Sequence, residues 1–345
     1  MRPDLSVAEM TPMAGQYPIK NNVGTNITIP ATASDDVPYF APQERDAIRR
    51  YYDEFGYVVI RGVIPADAVD ATNGAFDREV LRSPKFIYRQ ATAEAERNVY
   101  TDRGFMLNSI LNPQSVDPYA FRDFRTESTR IFARPELQNA VKSVLGEAGK
   151  LVQGMYFHGN PATWPHQDSY YLDSETIGTM TAVWVAMEDI APGAGRFFIY
   201  PKSQQIELQK HNAATNIATK HSDYKKTVED IIRTSNLECR APALRKGDIL
   251  FWNEWTIHGS LPTTTPDLSR RSLTAHFIPA SQRFLQFQVN VKEPHFDHVD
   301  GALISRPKDQ AKLLNRAVLF VESRFPRLFN AAKRTAIRLL MARHA

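Results

Sequence analysis

Four His-x-Asp pairs stand in the chain: His166/Asp168, His221/Asp223, His295/Asp297 and His298/Asp300. In extended backbone, side chains i and i+2 point to the same face, so an imidazole and a carboxylate at this spacing can share one metal ion. Two histidines and one carboxylate on one face of an ion form the donor set of non-haem Fe(II), with three coordination positions left open. Each pair is therefore tested for a strand edge and for a third ligand on a later strand.

The stretch TWPHQDSYYL, residues 163–172, meets the first condition. DILFWNEWTIHGS meets the second, because its β-like run ends on His258. His221/Asp223 opens a helical pattern, in which i and i+2 diverge by about 200°. His295/Asp297 and His298/Asp300 have only His344 downstream, in a basic segment, and are assigned to solvated turns. An isolated His-x-Asp is ordinarily a polar pair near a turn, and it is the distal His258 that favours a metal for His166 and Asp168.

HGSLPTTTPDLSRRSLTAHF then places Arg270 and Arg271 after a turn-rich loop, at the head of a strand returning beside His258. Along it Arg270, Ser272, Thr274 and His276 share one face, and Arg271, Leu273, Ala275 and Phe277 the other. A guanidinium buried beside a metal is costly unless it meets an anion, and its planar fork suits a carboxylate. Iron, two His, one Asp and an inward Arg specify a dicarboxylate co-substrate. A solvent-facing Arg270 is the alternative.

These residues need strands to hold them, and from about Leu151 the sequence supplies them. LVQGMYFHG, MTAVWVAMED, RFFIYP, DILFWNEW, SLTAHFIP and FLQFQVNV are short, β-branched or aromatic, and bounded by Gly, Pro or Asp, as in a sandwich or barrel. Helical patterns precede them at 42–55, about 65–81 and 118–149, with the strand GYVVIRGVI after the first. A helical insert is expected at about 222–236, and two more helices at about 308–324 and 326–343. The plan is mainly β with flanking helices: a loose or wrapping N-terminal arm (1–40), a central domain (41–300, β core about 151–290) and a basic C-terminal helical extension (301–345).

HQD, AVWVAMED, GDILFWNEWTIHGS and SRRSLTAHF, with the upstream YYDEFGYVVIRGVIP, resemble the phytanoyl-CoA dioxygenase family of Fe(II)/2-oxoglutarate-dependent oxygenases over roughly residues 44–290. The resemblance implies a double-stranded β-helix (jelly-roll, cupin-like) core. It implies His166, Asp168 and His258 as iron ligands and catalytic residues. Arg270, rather than Arg271, matches the group gripping the distal carboxylate of 2-oxoglutarate, with Ser260 beside it and Trp184 and Gln153 as further cofactor-site residues. Fe(II), 2-oxoglutarate and O2 are the implied cofactors. One departure is GAGRFFIYPKSQ, where Lys202 and Gln204 stand at the Gly and His positions of the family's Pro-Gly-Ser-His turn.

The implied activity is oxidation, foremost hydroxylation, of an unactivated C–H of a small organic molecule in specialised metabolism, releasing succinate and CO2. Desaturation or ring formation by the same oxidant is the alternative. An intact Asp168 argues against halogenation, where a small residue lets chloride reach the metal. A non-catalytic jelly-roll binding protein is opposed by the complete set His166, Asp168, His258 and Arg270. A cupin-like enzyme using another metal is opposed by Arg270 and Ser260. Tyr156, Phe157, Trp164, Tyr170, Tyr171 and Phe198 are candidates for the cavity mouth or the core, and Arg103, Arg196 and His276 for a substrate anion.

Composition bounds the rest. A hydrophobic content of 43% fits a globular chain with a substantial core, and the single Cys239 excludes an internal disulfide or Cys-rich metal site. MRPDLSVAEM lacks the apolar run of a signal peptide, so a cytoplasmic location is expected. The net charge of +4 resides in the tail: Arg327, Lys333, Arg334, Arg338 and Arg343 follow Phe325 with no acid among them. The near-neutral body excludes a nucleic-acid face. A stripe of Leu328, Phe329, Ala332, Ala336, Leu339 and Leu340 is expected to dock on the barrel, with an anionic membrane or a protein as the alternative. The expected partner is a small-molecule substrate.

Overall fold

Alternation with period two organises the largest sheet. Its eight strands run in the order Phe296–Val299, Ala302–Ser305, Gly149–Phe157, Ser272–Pro279, Thr181–Ala186, Ile249–Asn253 and Tyr57–Ile60, with Ile110–Leu111 also paired to Gly149–Phe157. All pairs are antiparallel except Ala302–Ser305 on Gly149–Phe157. This computed structural model describes residues 15–36, 38–159, 161–206, 217–235, 237–287, 290–329, 331, 332 and 335.

Val58, Ile60, Val183, Val185, Ile249, Phe251, Leu273, Ala275 and Phe277 point to one face, in the main core. There they meet Ile48 and Tyr52 of the helix Arg45–Phe55, Val69 of Ala66–Ala75, Phe124 and Phe132 of Arg122–Ala133, and Leu137 and Val141 of Pro135–Leu145. Each large side chain buried this way contributes about 1.5–3 kcal/mol. The intervening residues Tyr57, Val59, Ala182, Trp184, Leu250 and Trp252 form a separate inner cluster. Because the helix-covered face supplies the hydrophobic drive, the inner face can carry polar residues. A second sheet, ordered Phe197–Ile199, His258–Ser260 and Thr163–His166, shares one cavity with that inner face.

Two segments sharpen or correct the expectations. Of the two readings of the arm, the wrapping one fits residues 16–30: Gln16–Lys20 and Asn26–Pro30 form a hairpin whose Ile19 and Ile29 pack with Phe198, Tyr200 and Ile257. Residues 1–14 lie outside the described ones. Past the expected end of the β core at 290, Phe296–Val299 and Ala302–Ser305 join the large sheet, so the extension assigned to 301–345 starts as a strand. Four-residue strands are too short to register as a period. The helix there spans Leu313–Arg324, with a further turn at 326–329, and half of the expected stripe (Ala336, Leu339 and Leu340) lies outside the described residues. Of the two other pairs, Asp297 and His298 sit on the strand of this edge hairpin, while His295 precedes it and Asp300 occupies its turn, as expected; Asp297 pairs with Arg306 at 2.7 Å.

His158 tests the packing of this core. It is buried, with the Met106 N–H donating to Nδ1 at 3.0 Å and Arg271 3.2 Å from Nε2. Burial, aided by the Arg271 charge, pushes its pKa down to about 4. Unfolded, it titrates near 6.5, so between the two values the unfolded chain binds the extra proton. Stability therefore falls as pH drops from about 6.5 to about 4, by on the order of 1–3 kcal/mol from this residue. Urea midpoints of metal-free protein across that window show the slope, and His158→Gln removes this share of it.

Candidate active site

The strand Thr163–His166 runs antiparallel to His258–Ser260, and His166 is directly opposite His258 in the register. Asp168 follows His166 in a short 3-10 turn. Asp168 Oδ1 lies 3.6 Å from His166 Nε2 and 3.5 Å from His258 Nε2. All three ligand atoms fall within 4.8 Å of one another, close enough to share an ion.

The surroundings prepare these atoms. His166 Nδ1–H donates to the Trp164 carbonyl and His258 Nδ1–H to the Thr256 carbonyl, both at 2.8 Å. A carbonyl only accepts, so each Nδ1 carries the proton and each Nε2 keeps its lone pair for a metal. Asp168 Oδ2 accepts from Trp252 Nε1 at 2.8 Å and from His276 Nε2 at 3.2 Å, which leaves Oδ1 to the metal. Burial pushes the Asp168 carboxyl up, but the imidazoles of His258 and His276 and contacts from His166 and His258 outweigh it and hold it well below the usual range. Burial lowers the pKa of His258, and proximity to Asp168 opposes this. The donor set thus fits a divalent transition metal.

His276 acts here as a positioning group. Replacing it by Phe deletes one of two donors to Oδ2 and is expected to weaken Fe(II) or Co(II) binding about 10–100-fold, with partial rescue by Gln; metal titration followed by absorption reads both.

Arg270 enters the cavity from the strand across. It is 3% exposed, and Nη1 donates to the Gly195 carbonyl at 2.8 Å while Nε has no partner. Among the described residues no carboxylate pairs with it, and burial alone pushes its pKa down to about 10. Ser272 Oγ, Thr274 Oγ1 and His276 Nδ1, on the same strand face, are also buried without partners. Such groups are rare in folded proteins; of the four, Arg270 and Thr274 line the cavity with donors to offer, and a polar, anionic ligand there would satisfy both. Arg271 points the other way, to Asp77 and His158.

One cavity of about 1820 Å³ is lined by His166, Asp168, His258, Arg270, Ser260, Trp184 and Gln153 together. The Ser260 hydroxyl is engaged in holding strands: it accepts from the Thr163 N–H at 3.0 Å and lies 3.3 Å from the Pro161 carbonyl. Trp184 is buried against Phe197, and Gln153 lies opposite His276 in the register. Of the candidate aromatics, Phe157, Trp164 and Tyr171 line the cavity, while Tyr156 and Phe198 belong to cores. Arg196 is structural, donating to the carbonyls of Ile190, Pro30 and Ala31, and Arg103 pairs with Asp267 at 2.9 Å.

Two contributors, Trp252 and Asn22, were not singled out from sequence. Trp252 holds Asp168, and its signal was the inward parity of the strand Ile249–Asn253. Asn22 of the N-terminal hairpin donates to the carbonyls of Thr163 and Ser260, clamping both ligand-bearing strands; nothing local announces this. His221, on the helix Ile217–Thr234, is no metal ligand but reaches the cavity beside Trp164. At the departure from the family turn, Lys202 adopts φ 66°, the conformation glycine favours, and Ser203 Oγ accepts from the Ile257 N–H at 2.8 Å.

A profile of the phytanoyl-CoA dioxygenase (PhyH) family matches residues 52–272. Phytanoyl-CoA dioxygenase domain-containing protein 1 of Danio rerio is 24% identical over 250 residues, covering 69% of this chain and 83% of that protein. Among solved structures, the non-haem alpha-ketoglutarate-dependent carbocyclase SnoK from nogalamycin biosynthesis superposes with a TM-score of 0.56 at 16% identity, covering 80% of this chain and 99% of that one. EctD from S. alaskensis, solved with 2-oxoglutarate and 5-hydroxyectoine, gives 0.51 at 16% identity, covering 85% and 93%. With the profile spanning well over half of the sequence, and the His166–Asp168–His258 set at the centre of its cavity, the chain belongs to the phytanoyl-CoA dioxygenase family of 2-oxoglutarate-dependent non-haem iron enzymes.

Proposed function

We propose that this protein hydroxylates an unactivated C–H of a small organic molecule in specialised metabolism, releasing succinate and CO2, on a double-stranded β-helix core. The observation that carries the reading is Arg270: a buried guanidinium without an acidic partner, in the same cavity as the His166–Asp168–His258 set. His166 Nε2, Asp168 Oδ1 and His258 Nε2 would hold Fe(II), and Arg270 the distal carboxylate of 2-oxoglutarate. Bound together, iron, 2-oxoglutarate and O2 supply the oxidising equivalent for C–H cleavage. Ser260, Trp184 and Gln153 shape the co-substrate end of the cavity. Met155, Phe157, Trp164, Tyr171 and Leu172 give apolar walls that exclude water and orient the substrate carbon.

Ring formation is the second reading, favoured by the match in fold to a carbocyclase at TM-score 0.56. The cytoplasm suits the buried, unpaired Cys239. No helix among the described residues is long and apolar enough to cross a membrane.

The test is anaerobic addition of Fe(II) and then 2-oxoglutarate, followed by visible spectroscopy. Chelation of the keto acid is expected to give a weak charge-transfer band, and admission of O2 to yield succinate. Iron binding without the band would point to a metal enzyme that does not use 2-oxoglutarate; binding of neither, to a non-catalytic jelly roll. Product mass separates hydroxylation, a gain of one oxygen, from ring formation, a loss of two hydrogens.

A further inference from the structure

The helix Leu313–Arg324 is built inside out. Its one buried side chain is a carboxylate, Glu322, whereas Leu313, Leu314, Phe320 and Val321 are 75%, 74%, 67% and 45% exposed. Glu322 fixes the orientation by accepting from the Tyr88 hydroxyl and the Ala95 N–H, both at 3.1 Å. At about 100° per residue the four apolar side chains fall within an arc of about 120°, turned away from Glu322. Phe325 and Leu328, at 54% and 73%, prolong the exposed surface. Amphipathic helices normally bury the apolar stripe, and a contiguous exposed one marks an interaction surface.

Charge selects the occupant. Exposed cations accompany the stripe: Lys312 precedes it, Arg324 lies within its arc one turn after Phe320 and Val321, and Arg327 follows; Lys333, Arg334, Arg338 and Arg343 come later in the sequence, and Glu322 is the sole acid from Lys312 to the end. A second copy docked face to face would set these cations against one another. The basic tail folded back would do the same. An anionic bilayer answers both features, taking the apolar side chains among its acyl chains and the cations at its phosphates. We propose that the helix Leu313–Arg324 and the turn after it dock on an anionic lipid surface. Leu319 and Ser323 of the same helix line the cavity leading to His166 and His258, so docking sets the cavity mouth at the lipid interface. This inference stands independently of the reading of the metal site.

Flotation of the full chain with vesicles of phosphatidylcholine alone, and of equal parts phosphatidylcholine and phosphatidylglycerol, tests it. Binding is expected to be at least tenfold stronger to the anionic vesicles and to weaken in high salt. Leu314→Glu combined with Val321→Glu should lower it at least tenfold, and Arg324→Gln with Arg327→Gln should erase the preference for phosphatidylglycerol. Melting curves establish that each variant is folded. Wild-type protein that ignores phosphatidylglycerol overturns the proposal, as does a double-Glu variant that floats like wild type. Dimers that the double-Glu variant dissolves, without vesicle binding by wild type, overturn it in favour of a second copy.

Discussion

Replacing Arg270 by Met is expected to raise the melting temperature of the ligand-free protein while weakening 2-oxoglutarate binding by roughly 30-fold or more. The two effects have one origin. Among the described residues, Nη1 meets only the Gly195 carbonyl and Nε meets nothing, which leaves a desolvated cation without a counter-charge from any of them. Exchanging such a group for an apolar one of similar volume is neutral or stabilising. In the proposed function a bound dicarboxylate would supply the missing charge in the geometry the guanidinium prefers. Losing one partner of a buried charge-assisted pair costs about 2–5 kcal/mol, or roughly 30- to several-thousand-fold in affinity. Arg270→Lys should fall between, keeping the charge without the fork. Differential scanning fluorimetry with and without 2-oxoglutarate reads both effects. Iron affinity is the control and should not move, because Arg270 touches none of the three ligands. A variant that loses stability and keeps its affinity would make Arg270 a structural clamp on Gly195.

The parts of the site legible in sequence are those governed by short-range periodicity. Parity along SRRSLTAHF puts Arg270, Thr274 and His276 on one face, the family resemblance implies that this face is inward, and in the structure it lines the cavity where His258 stands opposite His166. What stayed hidden depends on contacts between distant segments. The choice of Arg270 over Arg271 rests on the family resemblance, and the missing acidic partner is a property of the folded environment. His276 was readable as a candidate for a substrate anion; that it reaches Asp168 is fixed only when the distant Asp168 turn comes within hydrogen-bond distance of the strand Ser272–Pro279. The hairpin at 16–30 has weak alternation and earns its place through Ile19, Ile29 and Asn22, more than a hundred residues from their partners. Glu322 is the converse case: sequence pattern alone assigns a glutamate in an apolar helix to solvent, yet two donors from another segment bury it.

Asp168 carries the second large effect, and two substitutions separate its roles. Oδ2 is held by Trp252 and His276, whereas Oδ1 faces the two imidazole Nε2 atoms. Asp168→Ala removes both functions. Iron affinity is expected to fall at least 100-fold, turnover to background, and the metal-free protein to lose about 1–3 kcal/mol, since a buried indole N–H and imidazole N–H are left unsatisfied. Asp168→Asn keeps an oxygen where Trp252 and His276 can reach it but turns an uncharged amide toward the metal position. It should lose iron as completely as Ala while keeping most of the stability. Acid provides an independent check on the wild type. Because the folded carboxyl titrates well below its unfolded value, its stabilising contribution is present above about pH 4 and is lost as pH falls toward the folded pKa. Asp168→Asn, which cannot titrate, should lack that component. Equal destabilisation by Ala and Asn would mean that the negative charge, not the two hydrogen bonds to Oδ2, stabilises the metal-free fold. Retained iron binding in either variant would remove Asp168 from the ligand set.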